Sequence, residues 1–285
     1  MILLYGDKNG NLQVVLTTRS LSLRTSPGDV ALPGGNYPWL HPLIPGKSDR
    51  GENEWDTARR EAWEEIGIPE NIPPPYTLEH LCRLRPHLPR PDLLLTPVVA
   101  YLSSTLVNSH PPSKLVSSLA IDPKEVSSVF SVSFEQFLRS SNKDGEVEDW
   151  SHISGVFNWL GVPWINHDFS ATVTALAMPE SNGVGEDSSL VPTRITSRIW
   201  GLTARILVDA CVIGYARMPE FRHVVDVLDE NKIETIIKYD PSMASIIGST
   251  RWTFKERIWI STGSQLDGER KRLAMWCRDS CHLEL

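Results

Sequence analysis

The stretch Gly46 to Ile68 reads GKSDRGENEWDTARREAWEEIGI and sets the terms for the rest of the chain. From Asn53 onward, Trp55, Ala58, Ala62 and Ile66 recur at spacings of three and four, the period of a helix with one buried stripe. Gly67 suits the position just past the helix end, and Pro69 forbids continuation. On that helix Glu61, Glu64 and Glu65 stand at i, i+3 and i+4, so the spacing predicts three carboxylates on one face. Three anions side by side repel. A divalent cation removes the repulsion, and clustered carboxylate oxygens suit hard ions such as Mg²⁺ or Mn²⁺. Arg60 is placed to hold one carboxylate in a productive rotamer by a charge-assisted hydrogen bond. Taken alone, the three glutamates favour the plainer reading of a solvated helix face.

Upstream, Ile2–Tyr5 and Leu12–Thr17 are apolar runs flanking a polar Asn9-Gly10 turn, the pattern of a β-hairpin. Residues 18–35, rich in Ser, Arg, Pro and Gly, read as a structured loop. Downstream, residues 93–102 (LLLTPVVAYL) predict a buried strand whose Pro97 marks an edge or bulge. Ser127–Val132 predicts a short strand, and Phe134–Leu138 the start of a helix. Residues 139–198 show little pattern and read as a long, partly ordered insertion with apolar islands at Trp150, Trp159 and Trp164. Ile199–Ala216 predicts a core helix stopped near Pro219, and further helices are expected at 223–238 and 268–278. Alternation of strands and helices over the first 140 residues favours a layered α/β domain.

The whole chain has 285 residues, 41% hydrophobic and 22% charged, enough for a proper core. With 28 basic and 35 acidic residues the net charge is −7, which argues against a nucleic-acid wrapper working by phosphate neutralisation. An anionic small substrate stays compatible, because a metal reverses the local sign. Cys82, Cys211, Cys277 and Cys281 form no CxxC pair, so neither a disulfide scaffold nor a zinc ribbon is expected, and a reducing compartment is. No run of 18 apolar residues suggests a membrane span. The opening MILLYGD is too short to read as a signal peptide, and Met1 abuts the first strand as if internal to a longer chain.

The wider spacing is more specific. Gly46, Glu52, Arg60, Glu61, Ala62, Glu64, Glu65, Gly67 and Ile68 fit G-x5-E-x7-R-E-U-x-E-E-x-G-U, with U aliphatic. At roughly 5–7% usage per fixed position, a chance match is on the order of one in ten million. This resembles the Nudix box, the signature of hydrolases that cut nucleoside diphosphates linked to another group. The segment LTTRSLSLRTSPGDVALPGG (16–35) resembles the coenzyme A signature of one Nudix subfamily through Leu16, Thr17, Arg19, Ser20, Arg24, Gly28, Pro33, Gly34 and Gly35, with Leu32 where Phe is usual. Arg19 and Arg24 suit a ligand that carries a 3′-phosphate as well as a diphosphate. The glycine-rich turn lets backbone N–H groups approach phosphate. Thr96–Val99, Asp122–Val126 with Val129-Phe130, and Arg198–Arg205 also look like segments of fungal peroxisomal coenzyme A diphosphatases.

The resemblance implies an α/β/α sandwich with a mixed β-sheet over residues 1–221. Insertions are expected at about 36–46 and 139–198, followed by a C-terminal extension, 222–285, of unassigned role. It further implies hydrolysis of coenzyme A or acyl-CoA to 3′,5′-ADP and 4′-phosphopantetheine or its acylated form. Glu61, Glu64, Glu65 and a glycine carbonyl would hold Mg²⁺ or Mn²⁺, with Glu61 or Glu125 taking a proton from the attacking water. Glu52 is expected to brace the loop–helix geometry. Because 16 residues separate Gly35 from Glu52 where the pattern wants five, both Gly35 and Gly46 stand as the box glycine, and spacing favours Gly46. Rival readings are a Nudix hydrolase of ADP-ribose or a dinucleotide such as NADH, or a nucleotide-sensing module without catalysis. The resemblance suggests peroxisomes, although the sequence closes on Leu283-Glu284-Leu285 rather than S-K-L. Cys277 and Cys281 are read as structural, Arg270–Arg272 as a solvated face, and His167-Asp168 as an ordinary loop dipeptide.

Overall fold

The computed structural model describes residues 1–34, 53–84, 87–90, 93–141, 149–159, 162–178 and 194–223. The chain opens with an antiparallel hairpin, β1 (Ile2–Gly6) and β2 (Leu12–Arg19). Its turn is closed by Asp7 Oδ1, which accepts from the backbone N–H of Asn9 and Asn11 at 2.8 and 2.9 Å. Gly10 takes the left-handed conformation there, at φ +82°. The two-residue β3 (Val30–Ala31) returns along β2, and α1 (Glu54–Ile66) follows. Next come β4 (Tyr76–Arg83), a small separate ribbon of β5 (His87–Arg90) and β6 (Leu93–Leu95), then β7 (Val98–Ser104), α2 (Pro112–Ser117) and β8 (Val126–Ser133). A 3₁₀ turn, Phe134–Leu138, leads to β9 (Trp150–Trp159), β10 (Val162–Ala177), β11 (Arg194–Trp200) and α3 (Gly201–Tyr215).

The main sheet has the order β11-β10-β8-β2-β1-β7-β4, with β3 beside β2 and β9 beside β10. It is mixed: β1 and β7 run parallel, Ile2 opposite Val99, while their other neighbours are antiparallel. The strands of its middle are apolar on both faces, because both faces are covered. Leu3, Tyr5 and Val15 meet Ala58, Ala62 and Ile66 of α1 and Val116 of α2. Ile2, Leu4, Val14 and Leu16 share the opposite core with Ile206, Leu207 and Cys211 of α3. Helix, mixed sheet and helix form the expected three layers.

Several elements differ from the sequence reading. Leu93–Leu102 is two strands: Pro97 has no N–H to donate, and its carbonyl instead accepts from Leu84 N at 2.8 Å. Ile199 and Trp200 end β11 rather than beginning α3. Most importantly, 139–198 is not a patternless insertion. It supplies β9, β10 and most of β11, anchored by Trp150, Phe137 and Phe169, whose ring centroids lie 5.0–5.2 Å apart. The signal was present in FSATVTALA, where Phe169, Ala171 and Val173 are buried and alternate with polar neighbours. The expected helices at 223–238 and 268–278 fall outside the described residues, except His223.

Candidate active site

Helix α1 is fixed at both ends. Asn53 Oδ1 accepts from Asp56 N at 2.9 Å, a side-chain N-cap, with Glu54 and Asp56 favourably placed in the first turn. At the other end Gly67 is left-handed (φ +72°), and its N–H donates to Trp63 O at 2.9 Å. A Cβ at Gly67 would lie 2.5 Å from Ala120 O, so the helix end packs directly on backbone. Trp55 stacks on His80 of β4 with centroids 4.6 Å apart, and Arg59 donates to Pro69 O at 2.6 Å.

With its apolar stripe against the sheet, α1 turns Glu61 and Glu64 away from the core. Arg60 Nη1 donates to Glu61 Oε1 at 2.7 Å and to Glu64 Oε2 at 3.2 Å, bridging the two carboxylates. Glu65 is different: only 8% exposed, its Oε2 accepts from Gly34 N at 2.9 Å. That bond joins the glycine-rich turn after β3 to the carboxylate helix across 31 positions of sequence. Burial pushes the Glu65 carboxyl up to about 7, with the charges of Glu61 and Glu125 acting in the same direction against the Gly34 hydrogen bond. Glu61 is also raised, first by burial and then by Glu64 and Glu125, against the hydrogen bond and charge of Arg60.

Glu125 joins this group through its backbone. Asp122 N donates to Glu65 O at 3.1 Å, and Ser20 N donates to Glu125 O at 2.8 Å. The turn carrying Glu125 is thereby held between the end of α1 and the loop after β2. Ser20 is buried, and its hydroxyl donates to Pro123 O at 3.0 Å, so its side chain secures this junction. Gly28 closes the same loop at φ +76°, its N–H donating to Arg19 O at 3.2 Å. Arg19 donates from Nη2 to Thr25 O at 3.3 Å, while its Nε is a buried donor with no partner among the described residues. Arg24 is exposed and has no hydrogen bond or ion pair among the described residues. Gly35, Gly46 and Glu52 lie outside the described residues.

Among the described residues no three acidic side chains already close around one ion position. The donor set nevertheless fits a hard divalent cation. Every available group is a carboxylate oxygen, and burial, with mutual repulsion adding to it, raises Glu61 and Glu65, which a cation would reverse. Glu61, Glu64 and Glu65 are the residues that would hold it.

The raised Glu65 has a consequence for stability. A carboxyl whose folded value is above its unfolded value favours the folded state at low pH, and that contribution is lost as pH rises. In EDTA the Glu65 carboxyl is expected to withdraw on the order of 3 kcal/mol of stability between pH 4.5 and about 7, read as the difference from a protein that lacks it. Glu65→Gln removes this slope. Chemical denaturation of both forms across that window checks it, and parallel pH dependence would contradict it.

A three-layered mixed sheet with glutamates clustered at the end of one helix, tied by a backbone N–H to a glycine-rich turn, defines a Nudix-class architecture. A model of the NUDIX domain matches residues 1–152, over half of the sequence, and the chain belongs to that family. Members of the family are hydrolases that generally use divalent metal ions. Nudix hydrolase 22, chloroplastic, of Arabidopsis thaliana is 31% identical over 221 residues, covering 78% of this chain and 56% of its own length. Peroxisomal coenzyme A diphosphatase 1 of Saccharomyces cerevisiae is 29% identical over 251 residues, covering 77% and 69%. Peroxisomal coenzyme A diphosphatase ndx-8 of Caenorhabditis elegans is 32% identical over 163 residues, covering 57% and 59%. The chain thus spans less than three fifths of the plant relative's length. Among the described residues no helix is long and apolar enough to cross a membrane.

Proposed function

We propose that this chain is a coenzyme A diphosphatase, hydrolysing coenzyme A or acyl-CoA to 3′,5′-ADP and 4′-phosphopantetheine or its acylated form. The observation that carries the reading is the junction of two sequence signatures. Gly34 binds Glu65, and Ser20 binds the turn of Glu125, so the loop bearing Arg19 and Arg24 borders the carboxylates. In this reading residues 1–221 are the catalytic unit and 222–285 an extension. The peroxisome is the proposed compartment, following the names of the yeast and worm relatives.

Glu61, Glu64 and Glu65 would hold a divalent ion, which would supply charge neutralisation on the diphosphate and a lowered pKa for the attacking water. The protein's own groups do the rest. Glu61 or Glu125 accepts the proton of the water as its oxygen forms a bond to phosphorus and the bridging P–O bond breaks. Arg60 holds Glu61 and Glu64 in place. Gly34 N–H fixes the Glu65 carboxylate. Arg24 and Arg19 supply cationic partners for the 3′-phosphate, which ADP-ribose and NADH lack.

Arg24 separates this reading from its rivals. Arg24→Ala is expected to lower kcat/KM for coenzyme A by about 10-fold or more, the scale of one charge-assisted contact, and to leave the 3′-dephospho analogue within about twofold. Turnover of both substrates by both proteins measures it. Equal losses on the two substrates would remove Arg24 from 3′-phosphate recognition.

A further inference from the structure

Far from the carboxylate helix in the sequence, three imidazoles and a carboxylate form a continuous chain. His223 Nε2 lies 2.7 Å from Asp209 Oδ1, His167 Nε2 lies 2.8 Å from His223 Nδ1, and His152 Nε2 lies 3.1 Å from His167 Nδ1. The four residues come from α3, the segment after it, β10 and β9. His167 and His223 are buried, whereas His152 is half-buried and forms the outer end. Phe221 stacks on His152 with centroids 3.7 Å apart. Glu220 N donates to Leu138 O at 2.8 Å. The chain joins the segment after α3 to the β9–β10 hairpin, beside the Phe221 ring contacts and the Glu220 bonds to Ser140.

Proton counting defines its behaviour. Each of the three links needs one hydrogen between its two heavy atoms, so a charged Asp209 with three neutral imidazoles satisfies every link when each ring carries its proton on Nε2. One further proton entering at His152 Nδ1 is accommodated: both imidazole–imidazole links reverse polarity, His223 goes on donating to Asp209, and the positive charge comes to rest on His223 beside the carboxylate. While Asp209, its carboxyl held below the usual value, stays charged, a second extra proton has no such solution. It puts two hydrogens into one link, either between His223 and His167 or between His167 and His152, and that link must break.

We propose that the Asp209–His223–His167–His152 chain is an acid-sensitive latch, holding the segment that follows α3 against the β9–β10 hairpin at neutral pH and releasing it on acidification. The surroundings agree. Burial holds His167 down to about 3, with His223, His152 and Arg205 adding to the effect and Asp209 opposing it. Burial holds His152 at about 4 against the charge of Asp168. For Asp209, burial works upward, but the His223 hydrogen bond and the charges of His87, His223 and Arg205 keep its carboxyl below the usual value. His87 Nε2 and Arg205 Nε lie 3.8 and 3.9 Å from Asp209 Oδ2, so each of these packed elements reaches the inner end of the chain. His152 and His167, held neutral when closed and ordinary when open, favour the closed form above their free value of about 6.5, and this advantage is lost as pH falls from there toward 4.

The test is amide hydrogen exchange on the full chain from pH 7 to 4.5, corrected for intrinsic rates, with imidazole ¹⁵N shifts read on the same sample. Protection of residues 217–223 and of β9 is expected to fall by about tenfold or more, while β1 and β7 keep theirs. At pH 8 all three rings are expected as Nε2–H tautomers. Asp209→Asn keeps an acceptor for His223 but removes the charge that compensates the first proton, so release should move to higher pH. Unchanged protection down to pH 4.5, or loss spread evenly over the central strands, would overturn the latch without recourse to any variant. An unaltered midpoint in a folded Asp209→Asn protein would overturn it as well.

Discussion

Glu64→Gln is expected to cut turnover of the diphosphate substrate by at least about 100-fold while leaving the fold intact, because in the proposed mechanism it removes one of the oxygens that would hold the metal. Of the three clustered glutamates, Glu64 gives the cleanest test. Its side chain is 47% exposed, and its one partner among the described residues is Arg60 at 3.2 Å, an exposed i,i+4 pair. Such pairs contribute about 0.5 kcal/mol or less, and the substitution also relieves repulsion from Glu61, so stability should change by no more than about that amount. The same change at Glu65 would disturb a buried group bonded to Gly34 and mix folding with chemistry. Steady-state rates with saturating Mg²⁺ or Mn²⁺, beside thermal unfolding, read both quantities. Turnover within a few fold of wild type would reject Glu64 as a metal-holding residue.

Gly67→Ala has the largest effect expected on stability. The position is left-handed at φ +72°, and an added Cβ would sit 2.5 Å from Ala120 O and 3.0 Å from Ala120 N. Backbone cannot swing aside as a side-chain tip can, so conformational strain and steric conflict act together. About 3 kcal/mol or more should be lost, which lowers Tm by about 10 °C for a domain of this size. Activity should suffer too, since the neighbouring Asp122 N–Glu65 O bond positions the turn of Glu125. Gly155→Ala is the control: it lies in β9 with nothing within 4 Å of the added Cβ, and Tm should move by about 1 °C or less. A Gly67→Ala protein that melts with the wild type would show that the helix end is not packed as described.

The local parts of the fold were legible because their signals are short-range. An Asn-Gly turn between apolar runs announced the β1–β2 hairpin, and Asn53, the apolar stripe and Gly67 marked α1 with its caps. Strand β4 escaped notice because Tyr76–Arg83 alternates poorly, with one fully buried residue, Cys82. Strands β9 to β11 were hidden by Ser, Asn and Gly clusters, although the period-two burial of Phe169, Ala171 and Val173 betrays them afterwards. The candidate site divides in the same way. Spacing alone placed Glu61, Glu64 and Glu65 on one helix, but the contact of Glu65 with Gly34 is a product of tertiary packing. Ser20, read as a substrate contact, proves to be buried against Pro123. His167, read as an ordinary loop residue, lies at the centre of a buried chain whose members are up to 71 positions apart in sequence, from His152 to His223. No spacing rule reaches that far.

The central claim is that the Arg19–Arg24 loop and the α1 carboxylates form one site for the diphosphate of coenzyme A. The most direct measurement is incubation of the purified full chain with coenzyme A and Mg²⁺ or Mn²⁺, separating products by chromatography, with ADP-ribose and NADH in parallel. The account predicts 3′,5′-ADP and 4′-phosphopantetheine from coenzyme A, formation stopped by EDTA, and slower cleavage of the two nucleotides that lack the 3′-phosphate. Intact coenzyme A beside hydrolysed ADP-ribose or NADH would contradict it.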